Sequence, residues 1–273
     1  METDRSGKTG DQGLEQCLRA LHQKDRLSYA GKFVQGFVHN ANGPLQNLTM
    51  LTEMILAGID LQDKMFTNGD DKGKWLEMLD KQRKRLALMR EQIGNLAGDL
   101  REFMQLHEIE RNGTEIDINA LLTRIVNVYR ADLFFKHWVK SELRLTRNLP
   151  HIRVLGRDMV PAIFHIFENA MTAMKDSPRK ELLVETSMEG RDILVRINDS
   201  GCGLPDAKEK ESLFELFESK WPEQKNDQKI EHPGYGLYAA RQLLAPYGFT
   251  ISLETNAEGT SAIMRMPLTV QSA

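Results

Sequence analysis

Two long stretches within the first 110 residues repeat apolar side chains in steps of three and four. This spacing puts them on one side of an α-helix, as in the seam of a coiled coil or helical bundle. The first stretch predicts a helix from residue 14 to about 60, and a polar loop from Asp60 to Gly73 separates it from the second. The seams consist of Val34, Val38, Ala41, Leu45, Leu48, Ile55 and Ile59, and of Leu79, Leu86, Met89, Ile93, Leu96, Leu100 and Phe103.

Two such helices joined by a short loop predict an antiparallel helical hairpin, which we assign to residues 14–110. One hairpin buries little apolar surface by itself, so we expect a homodimer in which two hairpins form a four-helix bundle. A monomeric hairpin packed on the C-terminal half is the alternative, and the regularity of both seams favours the dimer. Residues 1–13 are polar and charged, and we expect a disordered N-terminus there.

From about Gly113 the pattern changes to a mixture of helices and strands. Helices are predicted from Ile118 to Tyr129 and from an N-cap at Asp158 to about residue 175, with Pro161 in the first turn. Strands are predicted at 142–146, 182–187, 193–198, 249–254 and 262–266. The sequence therefore predicts an α+β fold, in which the hairpin is followed by an α/β sandwich at residues 111–273.

Composition argues against several classes of function. The formal charge of −3 and the pI near 6.2 leave no basic surplus, so we expect no nucleic-acid binding. The longest uncharged run, 33–52, holds too many polar side chains for a membrane span. Two cysteines, Cys17 and Cys202, cannot build a disulfide framework, which favours a cytoplasmic location. If the chain is a sensor, its input is expected to arrive through the cytoplasm or through a separate sensor protein.

One motif in the C-terminal half is His165-Ile-Phe-Glu-Asn169-Ala, inside a predicted helix. Helical spacing puts His165, Asn169 and Thr172 on one face, apart from the apolar residues that form the packing stripe. The amide oxygen of Asn169 can ligate Mg²⁺, which usually arrives with nucleotide phosphates. Taken alone, a solvated asparagine is the commoner case.

A second motif, Asp199-Ser-Gly201-Cys-Gly203, directly follows an apolar strand. An ionised Asp199 can accept a hydrogen bond from the exocyclic amine of adenine. Gly201 and Gly203 allow the backbone to approach a planar ring, because no Cβ atom intervenes. An ordinary turn after a strand is an equally good explanation of this motif by itself.

Two further motifs suit phosphate groups. Lys220 follows the segment containing Phe214 and Phe217, opens a long polar stretch and can meet a phosphate, although solvation is the default for a lone lysine. Gly234 and Gly236 open an apolar helix, whose first N–H groups and dipole favour an anion. Glycine before a helix is common, so the pair alone is weak evidence.

The ordered set of motifs resembles the ATP-binding domain shared by histidine kinases, gyrase, mismatch-repair ATPases and a heat-shock chaperone, over roughly residues 116–267. The resemblance implies that Asn169 binds Mg²⁺ and that Asp199 binds the adenine amino group. It also implies that the four glycines line the adenine and phosphate sites. Histidine kinases usually carry another asparagine one turn before the Mg²⁺ ligand, where this chain has His165.

The stretch from Phe37 to Leu45 resembles the phosphoacceptor box of histidine kinases, a histidine followed five residues later by proline and leucine. His39 lies one step past the seam, which predicts an exposed imidazole nucleophile. An acidic residue normally follows this histidine, but here Asn40 cannot act as a base at neutral pH. Asn42 and Gln46 share the helical stripe of His39 and can position a water molecule instead.

The sequence therefore predicts an ATP- and Mg²⁺-dependent histidine kinase that phosphorylates His39, with Asn40 and Asn42 beside it. The family resemblance implies transfer of the phosphoryl group to an aspartate on the receiver domain of a response regulator. An alternative is a degenerate ATP-binding signalling protein that docks the response regulator or dephosphorylates it. A third reading is an ATPase of the same superfamily without a signalling role, or a serine kinase that acts on an anti-sigma system, and the helical hairpin with its histidine box disfavours both.

Overall fold

The computed structural model describes residues 37–38, 41–65, 67, 72–130, 132–204, 211–218, 234–256 and 258–268. The first helix, α1, covers residues 41–65, with residues 37, 38 and 67 also helical, and α2 is Lys72–Asn112. The predicted polar loop between Asp60 and Gly73 is therefore too long at both ends. The predicted N-terminal tail, 1–13, and the predicted helix up to residue 36 lie outside the described residues.

Side-chain hydrogen bonds connect α2 to the backbone of α1. Gln82 Nε2 donates to the carbonyl of Ile55 at 3.5 Å, and Gln62 Nε2 on α1 donates to the carbonyl of Trp75 at 3.5 Å. The residue numbers rise along one helix as they fall along the other, so the two helices run antiparallel. Gln82, the polar exception in the second seam, is buried because it makes this contact.

The second half of the chain contains a five-stranded sheet in the order β2-β4-β5-β7-β6. Strand β2 pairs with β4 in parallel, and the other neighbours are antiparallel. A separate pair of short strands, β1 and β3, is also antiparallel. The strands are β1 Glu115–Ile116, β2 Lys140–Arg144, β3 Ile152–Arg153, β4 Glu181–Glu189, β5 Asp192–Asp199, β6 Thr250–Asn256 and β7 Gly259–Pro267.

Among the described residues, four helices accompany the sheet: α3 Ile118–Tyr129, α4 Leu133–Trp138, α5 Gly156–Met174 and α6 Gly236–Leu244. Alternate residues of β4 are buried, as expected for a sheet with one covered face. The core joins side chains from α3, α5 and α6 to those of the sheet, with Phe167 and Ile163 of α5 completely buried. The expected sequence of a helical N-terminal region and a mixed α/β domain is confirmed. Strand β2 begins two residues earlier than predicted.

Helix α5 begins earlier than the sequence suggested. Its N-cap is Leu155, so the predicted N-cap at Asp158 is wrong and Pro161 falls in the second turn. The Asp158 carboxylate instead accepts a hydrogen bond from the hydroxyl of Tyr247 at 2.5 Å. The N–H of Gly156 donates to a carbonyl in the segment after α2 at 2.8 Å, and this tertiary contact fixes the start of the helix.

Candidate nucleotide-binding site

Asp199 is the last residue of β5, a strand that is paired on both sides. Its Oδ1 atom accepts a hydrogen bond from the backbone N–H of Gly201 at 2.8 Å, and the backbone N–H of Thr260 donates to the same carboxylate. Burial raises the pKa of Asp199 to about 6, although the two backbone hydrogen bonds oppose the shift. A carboxylate has about four acceptor positions, so it can still accept a hydrogen bond from a ligand amine.

The loop after β5 is held by backbone contacts on two sides. The N–H of Ser200 donates to the carbonyl of Glu181 at 3.0 Å, and the N–H of Cys202 donates to the carbonyl of Ala173 on α5 at 3.1 Å. A Cβ atom added at Gly201 would lie 2.4 Å from the Cβ of Ala173 and 2.6 Å from the carboxylate oxygen. Only glycine therefore fits at residue 201 without displacing α5 or the carboxylate.

Gly203 adopts a left-handed conformation, with φ of +71°, beside Thr255 of β6. The Thr255 hydroxyl accepts from the N–H of Leu204 at 3.3 Å and donates to the carbonyl of Gly259 at 3.1 Å. Thr255 was not predicted as part of the site, because the contact joins residues 51 positions apart and leaves no local pattern in the sequence. Thr255 fixes the far side of the loop that carries Gly201 and Gly203.

Helix α5 carries Asn169 between two contacts with the glycine-containing loops. Ala173, one turn later, receives the hydrogen bond from the Asp199 loop, and His165, one turn earlier, contacts Gly236. Asn169 is half-buried, whereas His165 is buried. His165 was expected on a face apart from the packing stripe. That face is not free, because the start of α6 covers the imidazole ring.

Gly234 precedes α6 with φ of +76°, and its carbonyl accepts from the N–H of Phe217 at 3.0 Å. A Cβ atom at Gly234 would lie 2.5 Å from the carbonyl carbon of Phe217 and 2.6 Å from the backbone of Glu218. This close approach requires glycine. Phe217 itself has φ of +66°, a conformation that is uncommon for a residue with a side chain.

The segment containing Phe214 is attached to α6 by a second set of contacts. Phe214 is buried, and the guanidinium of Arg241 on α6 lies 4.8 Å from the centre of its ring. Arg241 also forms an ion pair of 2.9 Å with Glu211. Arg241 was not predicted as part of this region, because its position beside Phe214 depends on the tertiary fold.

The structure brings Asp199, Gly201 and Gly203 together in one loop, and α5 connects this loop to Gly236. Lys220, His39 and Asn40 lie outside the described residues, and Asn42 is exposed on α1. No cluster of three acidic, histidine or cysteine side chains suited to a metal occurs in the described part of the chain. A Mg²⁺ ion at Asn169 would take its other oxygen ligands from phosphates and water, as this ion commonly does.

Comparisons with known proteins agree with this geometry. Residues 157–270 match the family described as histidine kinase-, DNA gyrase B-, and HSP90-like ATPase. The methanogenesis regulatory histidine kinase FilI of Methanothrix harundinacea is 27% identical over 46% of this chain and 14% of its own. The sensor histidine kinase Hik2 of Thermosynechococcus vestitus is 22% identical over 84% of this chain and 57% of its own.

The solved structure of the Acinetobacter baumannii histidine kinase AdeS is 15% identical, with a TM-score of 0.44, and covers 85% of this chain and 98% of that one. The chain spans between 14% and 57% of the length of the curated relatives it matches. Within the described residues, no helix combines the length and apolar character that a bilayer span requires. The chain is therefore similar to sensor histidine kinases, and its residues 157–270 match the histidine kinase-, DNA gyrase B- and HSP90-like ATPase family.

Proposed function

We propose that this chain is an ATP-dependent protein histidine kinase that phosphorylates its own His39 and passes the phosphoryl group to an aspartate of a response regulator. The observation that carries the proposal is the half-buried carboxylate of Asp199, held by the N–H of Gly201 in a loop that excludes any side chain at residue 201. This loop lies within the region that matches the ATPase family. A helical N-terminal region precedes it, as a kinase of this type requires.

The roles of the nucleotide-binding residues follow from their chemistry. Asp199 accepts a hydrogen bond from the adenine amine, and Gly201 and Gly203 line the base. Asn169 holds Mg²⁺ against the phosphates, and the first N–H groups of α6, from Gly234 onward, receive phosphate oxygens. Lys220 adds a positive charge near the phosphates. Most of the catalytic effect then comes from positioning and from neutralising phosphate charge.

In the chemical step, an imidazole nitrogen of His39 attacks the γ-phosphorus, a nitrogen–phosphorus bond forms, and the bond to the oxygen of ADP breaks. The proton of the imidazole must leave, and Asn40 cannot take it at neutral pH. Asn42 and Gln46 are exposed on α1, which suits the positioning of a water molecule as the proton acceptor. The phosphoryl group then passes from the imidazole to an aspartate carboxylate of the receiver domain.

A homodimer is part of the proposal, because only half of each helical seam is covered within one chain. One set of heptad positions, beginning at Ala41 in α1 and at Gln82 in α2, is buried or half-buried between the helices. The other set is exposed although it is mostly apolar, as expected if a second hairpin completes a four-helix bundle. Its exposed members are Val38 at 52%, Leu45 at 47%, Ile59 at 43%, Leu86 at 53%, Ile93 at 53% and Leu100 at 46%.

We also propose the division of the chain into a hairpin at 14–110, which carries phosphotransfer and dimerisation, and an ATP-binding domain at 111–273. A separate sensor protein is one possible source of the signal. The response regulator is the partner that the names of the relatives suggest, since sensor histidine kinases act in two-component signalling.

Incubation of the full chain with ATP labelled at the γ-phosphate tests the proposal. We expect acid-labile, alkali-stable label on the protein, its loss in His39→Ala, and its transfer to receiver domains from a panel of response regulators. The His39→Ala variant should still bind ATP, which separates loss of the acceptor from loss of the fold. Nucleotide binding without any label would refute kinase activity and support the alternative of a docking or phosphatase protein. Steady hydrolysis without phosphoprotein would support an ATPase.

Asn40→Asp provides a sharper test of the acceptor box. A carboxylate at this position can orient the imidazole and accept its proton, so the initial rate of label incorporation is expected to rise about tenfold or more. Asn47→Asp serves as the matched control, because it adds the same charge at an exposed position of α1 eight residues from His39, where the proposal assigns no role. An unchanged or lower rate in Asn40→Asp would show that the missing acid does not limit the reaction.

A further inference from the structure

We propose that His165 is a positioning residue that fixes the start of helix α6 and thereby the N–H groups that receive the phosphates of ATP. The inference rests on the proposed function and deepens it. It assigns a role to the imidazole that stands where related kinases usually have an asparagine, and that role is packing against α6 rather than binding of Mg²⁺.

The contacts of His165 are with the residues that open α6. Its side chain is buried, with 3% of its surface exposed, and its ring meets the ring of Tyr235 edge-on, with centroids 5.8 Å apart and planes at 80°. Tyr235 is also buried, at 2% exposure. Edge-to-face aromatic pairs of this kind are favourable beyond the area they bury. The imidazole therefore anchors Tyr235 to α5.

The Nδ1 side of the imidazole is covered by the helix start itself. A Cβ atom added to Gly236 would lie 3.2 Å from Nδ1 of His165 and 3.7 Å from its Cβ and Cγ atoms. The backbone of Gly236 thus lies directly against the ring. Since this is the first residue of α6, the ring sets the distance between α5 and the positive end of the α6 dipole.

A shift of Tyr235 would also displace its neighbours on both sides in the chain, the first turn of α6 and Gly234. Its carbonyl accepts the first-turn hydrogen bond of α6, from the N–H of Ala239 at 2.9 Å. On the other side, Gly234 is locked to the backbone of Phe217 by a hydrogen bond of 3.0 Å. A smaller side chain at residue 165 would leave Tyr235 without its partner, so the N–H groups before and within the first turn would shift.

Two substitutions separate positioning from metal binding. His165→Asn introduces the residue usual in related kinases, removes the aromatic contact and supplies an amide oxygen that can bind Mg²⁺. His165→Phe keeps an aromatic ring against Tyr235 and removes both nitrogens. Titration calorimetry with the full chain should measure the affinities for ATP and for adenosine, each with Mg²⁺ and with EDTA, after circular dichroism has shown that both variants fold.

We expect His165→Asn to bind ATP about tenfold more weakly, the loss expected for a buried aromatic pair, with adenosine affinity changed less than about twofold. The loss should be the same with EDTA, and His165→Phe should stay within about threefold of wild type. Equal losses in the two variants, a loss seen only with Mg²⁺, or unchanged ATP affinity in His165→Asn would overturn the inference. A wild-type chain that bound ATP no better than adenosine would instead refute the proposed function, and this inference with it.

Discussion

Replacement of Asp199 by asparagine is expected to stabilise the fold and to weaken nucleotide binding. The carboxylate lies at the end of a paired strand, and burial raises its pKa from 3.8 to about 6. The folded state therefore disfavours the ionised form, which is the form that the adenine amine requires. Asparagine has nearly the same shape without the charge, so it removes the cost of burial together with the charged acceptor.

The size of the stability effect follows from the pKa. A rise of about two units, at about 1.4 kcal/mol each, makes the buried carboxylate cost the fold about 3 kcal/mol at pH 8. Because the folded pKa is the higher one, the fold is most stable at low pH, where the carboxyl group is protonated. The free energy of unfolding then falls as the pH rises through the folded pKa. At pH 5 the group is mostly protonated in the folded state, and the cost is about half as large.

Asparagine is expected to recover part of this cost. It offers the N–H groups of Gly201 and Thr260 a neutral acceptor in place of a charged one, a loss of about 1 kcal/mol. The net gain in the free energy of unfolding is then about 2 kcal/mol at pH 8 and about 0.5 kcal/mol at pH 5. Loss of a hydrogen bond to a charged acceptor should weaken ATP binding by about 10- to 100-fold at pH 8.

Urea denaturation followed by circular dichroism, at both pH values and without nucleotide, measures the first effect, and titration calorimetry with ATP measures the second. Glu254→Gln is the matched control, because this residue is exposed on β6 and the change also removes one negative charge. The free energy of unfolding of Asp199→Asn should rise relative to that of wild type between pH 5 and pH 8. If it does not, burial is not what raises the pKa of Asp199. Unchanged ATP affinity would refute the adenine contact itself.

Three other substitutions test separate parts of the structure. Gly201→Ala should weaken ATP binding by about tenfold or more in a folded protein, measured by calorimetry, because its methyl group would lie 2.4 Å from the Cβ of Ala173. Leu106→Ala should lower the free energy of unfolding by about 2–4 kcal/mol in urea titrations, as for other buried leucines, whereas the half-exposed Leu88→Ala should change it by less than about 1 kcal/mol. Ile93→Glu should shift the chain from dimer to monomer in analytical ultracentrifugation, because a charge would enter the exposed seam. Leu88→Glu, off the seam, should leave the dimer intact, and a dimer that tolerated both changes would contradict the proposed bundle.

Much of the fold could be predicted from the sequence, because local pattern and tertiary structure agree there. The alternation in β4 and the amphipathic pattern of α3 and α5 follow directly from burial on one side. The loop after β5 was recognisable for a similar reason. Aspartate and glycines at the end of an apolar strand have few alternatives to a turn, and their order with the later glycines resembles that of the ATP-binding family, which implies a nucleotide.

Features that depend on distant residues could not be predicted in this way. The predicted N-cap at Asp158 failed because its carboxylate bonds to Tyr247, 89 residues later. Burial of His165 depends on Tyr235, which no spacing within α5 reveals. The parallel pairing of β2 with β4 likewise has no signature in either strand, since it is decided by how the intervening helix α5 crosses the sheet.

The end of α2 makes the helical region and the ATP-binding domain mechanically continuous. Leu106 is part of the domain core, and a Cβ atom at Gly156 would lie 1.8 Å from the carbonyl oxygen of Ile109, so α2 and α5 touch backbone to backbone. Arg124 of α3 adds an ion pair of 3.1 Å with Glu102. Only two residues separate α2 from β1, so the connection between them is short. We therefore expect a rotation of the last three turns of α2 to carry α5, and with it Asn169 and His165, so that the proposed nucleotide site follows the helix.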